Sequence, residues 1–489
     1  MAISLYTSRL ILEALGIEDS GLYNVVGGIV AIFTIINGSL AAASSRFITF
    51  ELGVGDKQKL RKIFSTSFSI HVFIAVIVFI LAETIGLWYV NTYLVVPPDR
   101  LAAANWVYQF SIISAILSLT QVPYNAIIIA YEKIKIYAWI SIAGALYKLI
   151  MVFLLLKFNS IDRLIYFALF LCLWNVLSQI YLRFYCTRNF PESKLMIVKE
   201  KSFYKQMFSF SMWDLIGAFC SMGNSQGIAM LINYFFGLIY NAAQFYTSQV
   251  EGAIIQFTNG FMTAVRPQIV KLYAVGKIDK MLSLVFNSSK YSFFLLYIIA
   301  LPVFLETEYI IKIWLKTVPD YSVLFLRCII LIRMIRAFAI PVVQAVHATG
   351  NIKWLNLYAL VTSIPFTLPS IYILYRLGYP AEFAFYVIGL LSFVANYLEL
   401  YCLKKEIKFS IMKYAIRIYG TGILIILLSA IPIYYLRQSL EMSFLRLFLV
   451  CAADVLLVGS LVFFIGISFE DRQKLITTFK EKIMHYVKL

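Results

Sequence analysis

Two similar stretches decide the fold: PYNAIIIAYEKIK at 123–135 and PVVQAVHATGNIK at 341–353. Both begin with proline, carry alanine seven positions later and end in Ile-Lys, and no gap is needed to align them. Pro123 matches Pro341, at an offset of 218 along the chain. Each stretch closes a long apolar block and opens a basic loop, so the pair predicts an internal repeat of membrane helices.

Nearly the same offset recurs at two other places in the chain. Arg46 leads into Gly55 and then Phe64-x-x-Ser67, while Arg266 leads into Gly276 and then Phe286-x-x-Ser289. These pairs are offset by 220 to 222, and Gly16 and Gly237 are 221 apart. One such resemblance between apolar helices means little, but a nearly constant offset at three places indicates a duplicated unit.

The composition places the repeat in a membrane. Hydrophobic residues make up 61% of the 489 and charged residues 14%, and mean hydropathy is +0.83. The apolar residues form continuous blocks of about 20, which is the length of a helix that crosses the bilayer. Fourteen spans are predicted: 1–16, 23–50, 63–90, 106–130, 137–156, 164–186, 207–236, 244–265, 284–305, 321–346, 354–375, 382–403, 414–436 and 444–467.

The repeat offset corresponds to six spans, an even number, so both copies have the same orientation in the membrane. The predicted fold is an all-α polytopic membrane protein of about 14 transmembrane helices. Two parallel six-helix lobes, related by a pseudo-two-fold axis along the membrane normal, are followed by two extra helices. The predicted ranges are lobes at 1–186 and 207–403, a cytoplasmic linker at 187–206, the extra helices at 404–467 and an amphipathic tail at 468–489. Two lobes facing a central cleft is the geometry of alternating access.

The net charge of +17 is explained by the loops. With the chain start in the cytoplasm, the cytoplasmic loops and tail hold 25 Lys and Arg, and the outer loops hold 8. This bias follows the positive-inside rule and predicts that both termini are cytoplasmic. No basic patch lies on a soluble domain, so nucleic-acid binding is not predicted.

The predicted first span is unusually short. It ends at the turn at 16–21, and Arg9 and Glu13 interrupt it. These two side chains are four apart and could neutralise each other. Either the true start lies upstream or the first helix is incomplete.

Ionisable side chains inside the spans mark the candidate site, since each costs roughly 2.5–3.5 kcal/mol at the bilayer centre. The cations assigned to a substrate-binding cavity are Arg9, Arg46, Lys148, Arg266, Arg333 and Arg336. The acids that are candidates for ion coupling are Glu13, Asp214 and Glu251. A cavity lined by arginines suits a polyanion, because the guanidinium stays charged and binds phosphate oxygens two at a time.

Each of these residues also has a structural interpretation. Arg46 and Arg266 lie close to the cytoplasmic surface, and their side chains could reach it by snorkelling. Arg333 and Arg336 are three apart on one helix face, and acids from a neighbouring helix could neutralise them. Asp454, in an appended span, is predicted to be structural or paired with a nearby lobe.

Helix breakers suggest moving parts. Pro123, Pro341 and Pro365 interrupt spans and are predicted to bend helices and take part in gating. Because Pro123 and Pro341 are equivalent in the repeat, a paired kink is expected.

Catalytic chemistry has little support in the sequence. The chain has three histidines and six scattered cysteines without CxxC spacing, and it shows no metal-ligand cluster, nucleophile elbow or phosphate loop. We therefore predict no catalytic residue, no metal and no cofactor.

Several short motifs resemble those of Wzx-type polysaccharide flippases. They are LYTSR at 5–9, LG at 15–16, GLYNVVGG at 21–28, RF at 46–47, FELGVGD at 50–56, NWVYQF at 105–110, QVPYNA at 121–126 and NYFFG at 233–237. That family belongs to the multidrug/oligosaccharidyl-lipid/polysaccharide exporter (MOP) superfamily, with MATE drug exporters and the lipid II flippase. This sequence departs from that pattern at its N-terminus, because relatives usually carry additional residues before the LYTSR stretch.

The resemblance implies a function and partners. It implies two six-helix lobes, a cationic cavity and export of an undecaprenyl-diphosphate-linked oligosaccharide across the bacterial cytoplasmic membrane. It also implies work alongside a polysaccharide polymerase and a chain-length regulator, in lipopolysaccharide or capsule synthesis.

Two alternatives remain open. A MATE-type multidrug/ion antiporter shares the architecture, but its cavity should favour acids and aromatic residues for cationic drugs. A membrane enzyme such as an O-antigen polymerase or ligase should have a large periplasmic loop. The longest hydrophilic loop here is the short one around Arg188–Lys205, and it is predicted to be cytoplasmic.

Overall fold

The structure, a computed structural model, describes residues 10–11, 14–16, 19, 22–23, 26, 34–92, 96–157, 162–315, 320–467, 472–473 and 477. The described part is almost entirely helical and contains no strand. Arg9, Glu13, most of the predicted first span and most of the tail lie outside it. The predicted all-α class is confirmed.

The chain divides into two compact units, residues 1–218 and 219–489. Helices of the first unit are α1 (Thr34–Val54), α2 (Lys57–Leu81), α3 (Leu87–Thr92), α4 (Leu101–Ala130), α5 (Ile134–Lys157), α6 (Arg163–Asn189) and α7 (Lys201–Phe236), which runs past the boundary. Those of the second unit are α8 (Leu238–Ala274), α9 (Ile278–Leu305), α10 (Thr307–Leu315), α11 (Ser322–Ala337), α12 (Ile340–Thr349), α13 (Lys353–Val361), α14 (Leu368–Arg376), α15 (Phe383–Glu406), α16 (Ile411–Tyr414), α17 (Thr421–Gln438) and α18 (Phe444–Leu461). Short π-helical segments at Ala82–Gly86, Thr362–Thr367, Ala415–Gly420 and Val462–Gly466 continue several of these helices.

Ten helical stretches of the described part are long and apolar enough to cross a membrane. They are Lys57–Thr92, Pro98–Ala130, Ile134–Lys157, Arg163–Asn189, Lys201–Phe236, Ile278–Leu305, Lys353–Arg376, Phe383–Glu406, Ile411–Gln438 and Phe444–Gly466. Each coincides with a predicted span, and the chain is a multi-pass membrane protein. The total of fourteen stays a prediction.

The predicted spans that are not among these ten include those that carry most of the candidate site. The second span corresponds to α1, the eighth to α8, and the tenth to the pair α11 and α12. Arginine and glutamate side chains lower the hydropathy of these helices, and the break between α11 and α12 shortens the tenth. Five of the candidate residues thus lie on helices outside the ten, whereas Lys148 and Asp214 lie on helices that are among them.

The backbone repeats at the positions where the sequence does. Six of the eight described residues with left-handed φ angles form pairs at equivalent positions: Gly16 (79°) and Gly237 (84°), Gly55 (89°) and Gly276 (70°), and Glu132 (58°) and Gly350 (83°). The members of each pair are offset by 221, 221 and 218 respectively. The third pair is informative because Glu132 adopts a conformation that ordinarily favours glycine. The turn geometry is therefore retained where the residue type is not.

The last two spans dock on α9 through polar contacts at several heights along it. These are Tyr414 Oη to Ser289 Oγ (3.0 Å), Lys290 Nζ to the Gly466 carbonyl (2.9 Å), Tyr297 Oη to Ser429 Oγ (2.8 Å) and, just past the end of α9, Arg446 Nη2 to Glu306 Oε2 (2.6 Å). Arg446 and Glu306 are both almost completely buried. The appended helices are thus an integral part of the second unit.

The three predicted hinge prolines have different surroundings. Pro123 lies inside the continuous helix α4, whereas Pro341 lies in the first turn of α12, just after a two-residue break. Pro365 lies within the π-helical segment Thr362–Thr367, where Thr367 Oγ1 donates to the Thr362 carbonyl at 2.8 Å. The equivalent prolines therefore do not give identical local structure, and their part in gating stays a prediction.

Candidate functional site

Arg333 on α11 forms an ion pair with Glu251 on α8. The contact runs from Arg333 Nε to Glu251 Oε1. Both terminal guanidinium nitrogens of Arg333 are without a hydrogen bond in the described part of the chain, and 41% of its side chain is exposed. Arg333 is therefore neutralised but retains donors that a ligand could use.

Arg336, one turn further along α11, is bound more completely. Its Nη2 donates to Glu399 Oε1 at 2.7 Å and its Nη1 to Glu399 Oε2 at 3.2 Å. Nη1 also donates to Asn396 Oδ1 at 2.7 Å, and Asn396 Nδ2 donates to the Ile335 carbonyl at 2.8 Å. This bidentate network ties α11 to α15, and both terminal nitrogens of Arg336 are used within the protein.

A small apolar pocket lies beside the Arg333–Glu251 pair. Its other lining residues are Ile254, Leu296, Ala300, Ile329 and Ile330. Aliphatic walls supply no competing polar group. One edge of the Arg333–Glu251 ion pair is therefore covered by aliphatic side chains.

Arg266 on α8 is exposed, and it makes no hydrogen bond or ion pair with any residue that the structure describes. It lies eight residues before Ala274, where the 37-residue helix ends. A helix of that length is about 55 Å long, well beyond the roughly 30 Å hydrocarbon core. Arg266 is thus about 12 Å from the helix end. If the helix is centred in the membrane, it extends about 12 Å beyond the hydrocarbon core on each side, and Arg266 then lies near an interface.

Arg46 has the same position in the first repeat, eight residues before the end of α1 at Val54. Its guanidinium carbon lies 4.6 Å from the ring centre of Phe47 and 4.9 Å from that of Phe50. The Phe47 ring also packs edge-on against Phe210 of α7. Aromatic faces attract a cation, so these two rings restrict where the Arg46 guanidinium lies.

The other predicted site residues of the first unit are separate in their contacts. Lys148 on α5 is half-buried and has no hydrogen bond or ion pair to any described residue. Asp214 on α7 interacts with Ser39 of α1. No contact in the described part links Lys148 to Asp214, so the predicted roles of both stay predictions.

Sequence reasoning overlooked Arg183. This residue of α6 donates from Nη2 to Thr120 Oγ1 at 2.6 Å, and its guanidinium carbon lies 5.7 Å from the Tyr124 ring centre. No acid among the described residues pairs with it. The available signal was its position three residues inside the predicted end of the sixth span.

Asp454 of α18 is completely buried, and neither carboxylate oxygen has a hydrogen-bond partner in the described residues. The predicted partner in a nearby lobe is therefore not found among the described residues, and a structural role stays a prediction. The same residues contain no group of His, Cys, Asp or Glu that could hold a metal ion.

The predicted linker at 187–206 binds the beginning of α2. Arg61 Nε donates to the Lys194 carbonyl at 2.8 Å, and the Met196 amide donates to Ser65 Oγ at 3.0 Å. Lys62 Nζ and Glu200 Oε1 are 2.6 Å apart, and this hydrogen bond lowers the pKa of the Glu200 carboxyl. The linker is thus attached to the first unit by several contacts.

A second group of linker contacts surrounds Tyr131, in the turn after α4. Its ring stacks on Phe190 with centroids 4.4 Å apart. Burial, together with the charge of Glu192 and a hydrogen bond to it, raises the pKa of Tyr131 to about 12. The tyrosine therefore stays protonated at physiological pH and acts as a fixed hydrogen-bond partner.

The fold is that of MATE and MOP superfamily transporters. One match, "MATE transporter ClbM in complex with Rb+", has a TM-score of 0.69 and 16% identity over 85% of this chain and 94% of that one. "Outward-facing conformation of a multidrug resistance MATE family transporter of the MOP superfamily" has a TM-score of 0.69 and 12% identity over 82% and 92%. A MOP superfamily transporter from Pyrococcus furiosus, for which "reverse polarity of binding pocket suggests different function", has a TM-score of 0.67 and 13% identity over 85% and 93%.

No protein-family model matches the chain, and no curated protein matches it in sequence. Identities of 12–16% show a shared fold only. The three matched structures named above are described as transporters, and this chain shares their fold.

Proposed function

We propose that this chain carries a lipid-diphosphate-linked oligosaccharide across the bacterial cytoplasmic membrane. Arg46 and Arg266 each bind the diphosphate at some stage of transport, on the cytoplasmic side. Both termini are cytoplasmic, and a polysaccharide polymerase and a chain-length regulator act on the exported product. The chain is a transporter in this proposal and has no catalytic residue.

The observation that carries this proposal is the state of Arg266. An exposed guanidinium without an acidic partner in the described residues is available to bind an anion. Its position near the interface is where the phosphates of a lipid lie. Arg46, its equivalent in the first repeat, occurs at the same distance from the helix end.

The charge balance of the helices supports an anionic substrate. Glu251 and Glu399 are each paired with an arginine of α11, so neither is free to bind a cationic drug. Arg183 and Arg266 have no acidic partner among the residues described. A diphosphate carries about two to three negative charges and suits several guanidinium groups, which bind oxygens in pairs.

A MATE-type multidrug/ion antiporter is the second candidate, and it is favoured by the fold of the matched structures. Under that alternative, Asp214 would be the acid that binds a cation. The Pyrococcus furiosus protein is described as having a binding pocket of reverse polarity. This description supports the idea that one fold can serve substrates of different charge.

The test is glycan export in a bacterial strain that lacks its own flippase for the same lipid-linked oligosaccharide. We expect Arg266→Ala and Arg46→Ala each to reduce export at least about tenfold, since a charge-assisted bidentate contact contributes on the order of 1.5–3 kcal/mol. Replacement by Lys should restore only part of the activity, because a point charge lacks the guanidinium fork. Export is measured as surface glycan at matched protein level in the membrane.

Arg376→Ala is the matched control, since Arg376 contacts the Tyr372 hydroxyl at 2.9 Å at the end of α14. It should export normally. Normal export by the Arg46→Ala, Arg266→Ala double variant would remove the proposed phosphate role of that pair. Resistance to cationic drugs without any glycan export would favour the antiporter.

A further inference from the structure

In the Arg333–Glu251 ion pair, one nitrogen of the guanidinium is bound and two are available. Only Nε of Arg333 is committed to Glu251, while the terminal nitrogens have no partner in the described residues. The Arg333 side chain is 41% exposed and that of Glu251 is 17% exposed. A ligand can therefore approach the arginine without first removing the protein around it.

We infer that Glu251 is a built-in counter-ion, which balances Arg333 in the empty transporter and gives way to a phosphate of the substrate. This inference rests on the proposed function, because it needs an anionic substrate. It assigns to Glu251 the task of setting the affinity for that substrate. Glu251 is thus a specificity residue and Arg333 a phosphate ligand.

Charge cost is the physical reason for such an arrangement. An arginine in a membrane helix is expensive when it has no anion, so an empty site needs a substitute for the substrate. A carboxylate and a phosphate can each present two oxygens to a guanidinium. Exchange of one for the other keeps Arg333 paired in both states, and competition by Glu251 keeps binding weak enough for release.

The neighbouring Arg336–Glu399 pair is an example of an arginine whose donors are not available to a phosphate. Both terminal nitrogens of Arg336 are bound by Glu399 and Asn396, and its side chain is 28% exposed. A phosphate could not reach these donors without breaking three hydrogen bonds. The two pairs lie one turn apart on α11, so they form an internal control.

The experiment measures binding of farnesyl diphosphate, a short prenyl diphosphate, to the full chain in lipid nanodiscs. We expect Glu251→Gln to bind it on the order of tenfold more tightly than the wild type, since one repelling charge is removed at short range. Glu251→Asp, which keeps the charge, should bind like the wild type. Arg333→Ala should bind at least about tenfold more weakly. Glu399→Gln should change binding less than twofold, because Asn396 still occupies Arg336.

Separate results would overturn separate claims. If Glu251→Gln binds like the wild type while Arg333→Ala binds weakly, Glu251 has no competing role and the proposed function stands. Equal tightening by Glu251→Gln and Glu399→Gln would indicate a general charge effect and would remove the specific role of Glu251. If neither the wild type nor any variant binds the diphosphate saturably, the proposed function fails and this inference fails with it.

Discussion

Helix α4 and the broken pair α11–α12 are equivalent parts of the repeat, yet they are built differently. The first is a continuous helix of 30 residues, and the second is interrupted between Ala337 and Ile340. At the repeat offset of 218, the positions of Arg333 and Arg336 correspond to Ala115 and Ser118. The first repeat therefore forms the same span without any arginine.

This difference shows which features the repeated helix needs in order to fold and which belong to the candidate site. The Ser118 hydroxyl donates a hydrogen bond to the Ala115 carbonyl at 2.8 Å, within its own helix. The arginines of α11 instead need acids from α8 and α15. The fold of the repeat thus does not require a charge at these two positions.

The equivalent prolines show that a shared residue does not ensure a shared break. A proline leaves the carbonyl four residues earlier without its helical partner, in both repeats. In the second repeat, the Phe338 carbonyl, next to the Ala337 carbonyl that Pro341 leaves open, accepts a hydrogen bond from Tyr414 Oη at 2.8 Å. Tyr414 belongs to an appended helix, so the hydrogen-bond donor to this carbonyl in the break comes from outside the repeated unit.

The largest effect on stability is expected from Glu399→Ala. This change leaves Arg336 without its counter-ion in a largely buried setting, and we expect a loss of about 3 kcal/mol in the free energy of unfolding. Unfolding in mixed micelles, followed by helicity, measures it. The double variant Glu399→Ala, Arg336→Ser, which imitates Ser118 of the first repeat, should recover most of the loss. If the double variant is as unstable as the single one, charge balance is not the purpose of this pair.

A much smaller effect on stability is expected when both partners of the open pair are removed. The double variant Arg333→Ala, Glu251→Ala imitates Ala115 at one position, and we expect its free energy of unfolding to change by less than about 1 kcal/mol, as for other partly exposed ion pairs. Glycan export by this variant should nevertheless fall strongly. A large loss of stability together with normal export would show that the pair is structural and would abolish the contrast with Arg336.

Much of the fold could be predicted because its determinants are local. Continuous apolar blocks specify membrane helices, and ten of the predicted spans coincide with helices that meet that requirement. The repeat was visible because turns such as those at Gly55 and Gly276 require a left-handed backbone. Hydropathy was least informative at α8 and α11, where charged side chains interrupt the apolar pattern.

The partners of the charged residues could be predicted only in part. The spacing of Arg333 and Arg336 places them on one face, but it cannot tell which acid each one meets. Glu251 is 82 residues before Arg333 and Glu399 is 63 residues after Arg336, so the pairing depends on how helices pack. Arg183 was overlooked because it lies near a predicted span end, where a long basic side chain can reach the membrane surface and therefore does not indicate a site.

Direct translocation by the purified chain is the most decisive measurement. Liposomes that contain the protein and a lipid-diphosphate-linked oligosaccharide on one side are followed until the glycan becomes accessible to an enzyme on the other side. We expect the wild type to move the lipid far faster than protein-free liposomes, and the Arg46→Ala, Arg266→Ala variant to stay near background. The proposed substrate would be contradicted if the wild type moved the lipid no faster than protein-free liposomes while the wild type and the double variant took up a cationic dye at equal rates.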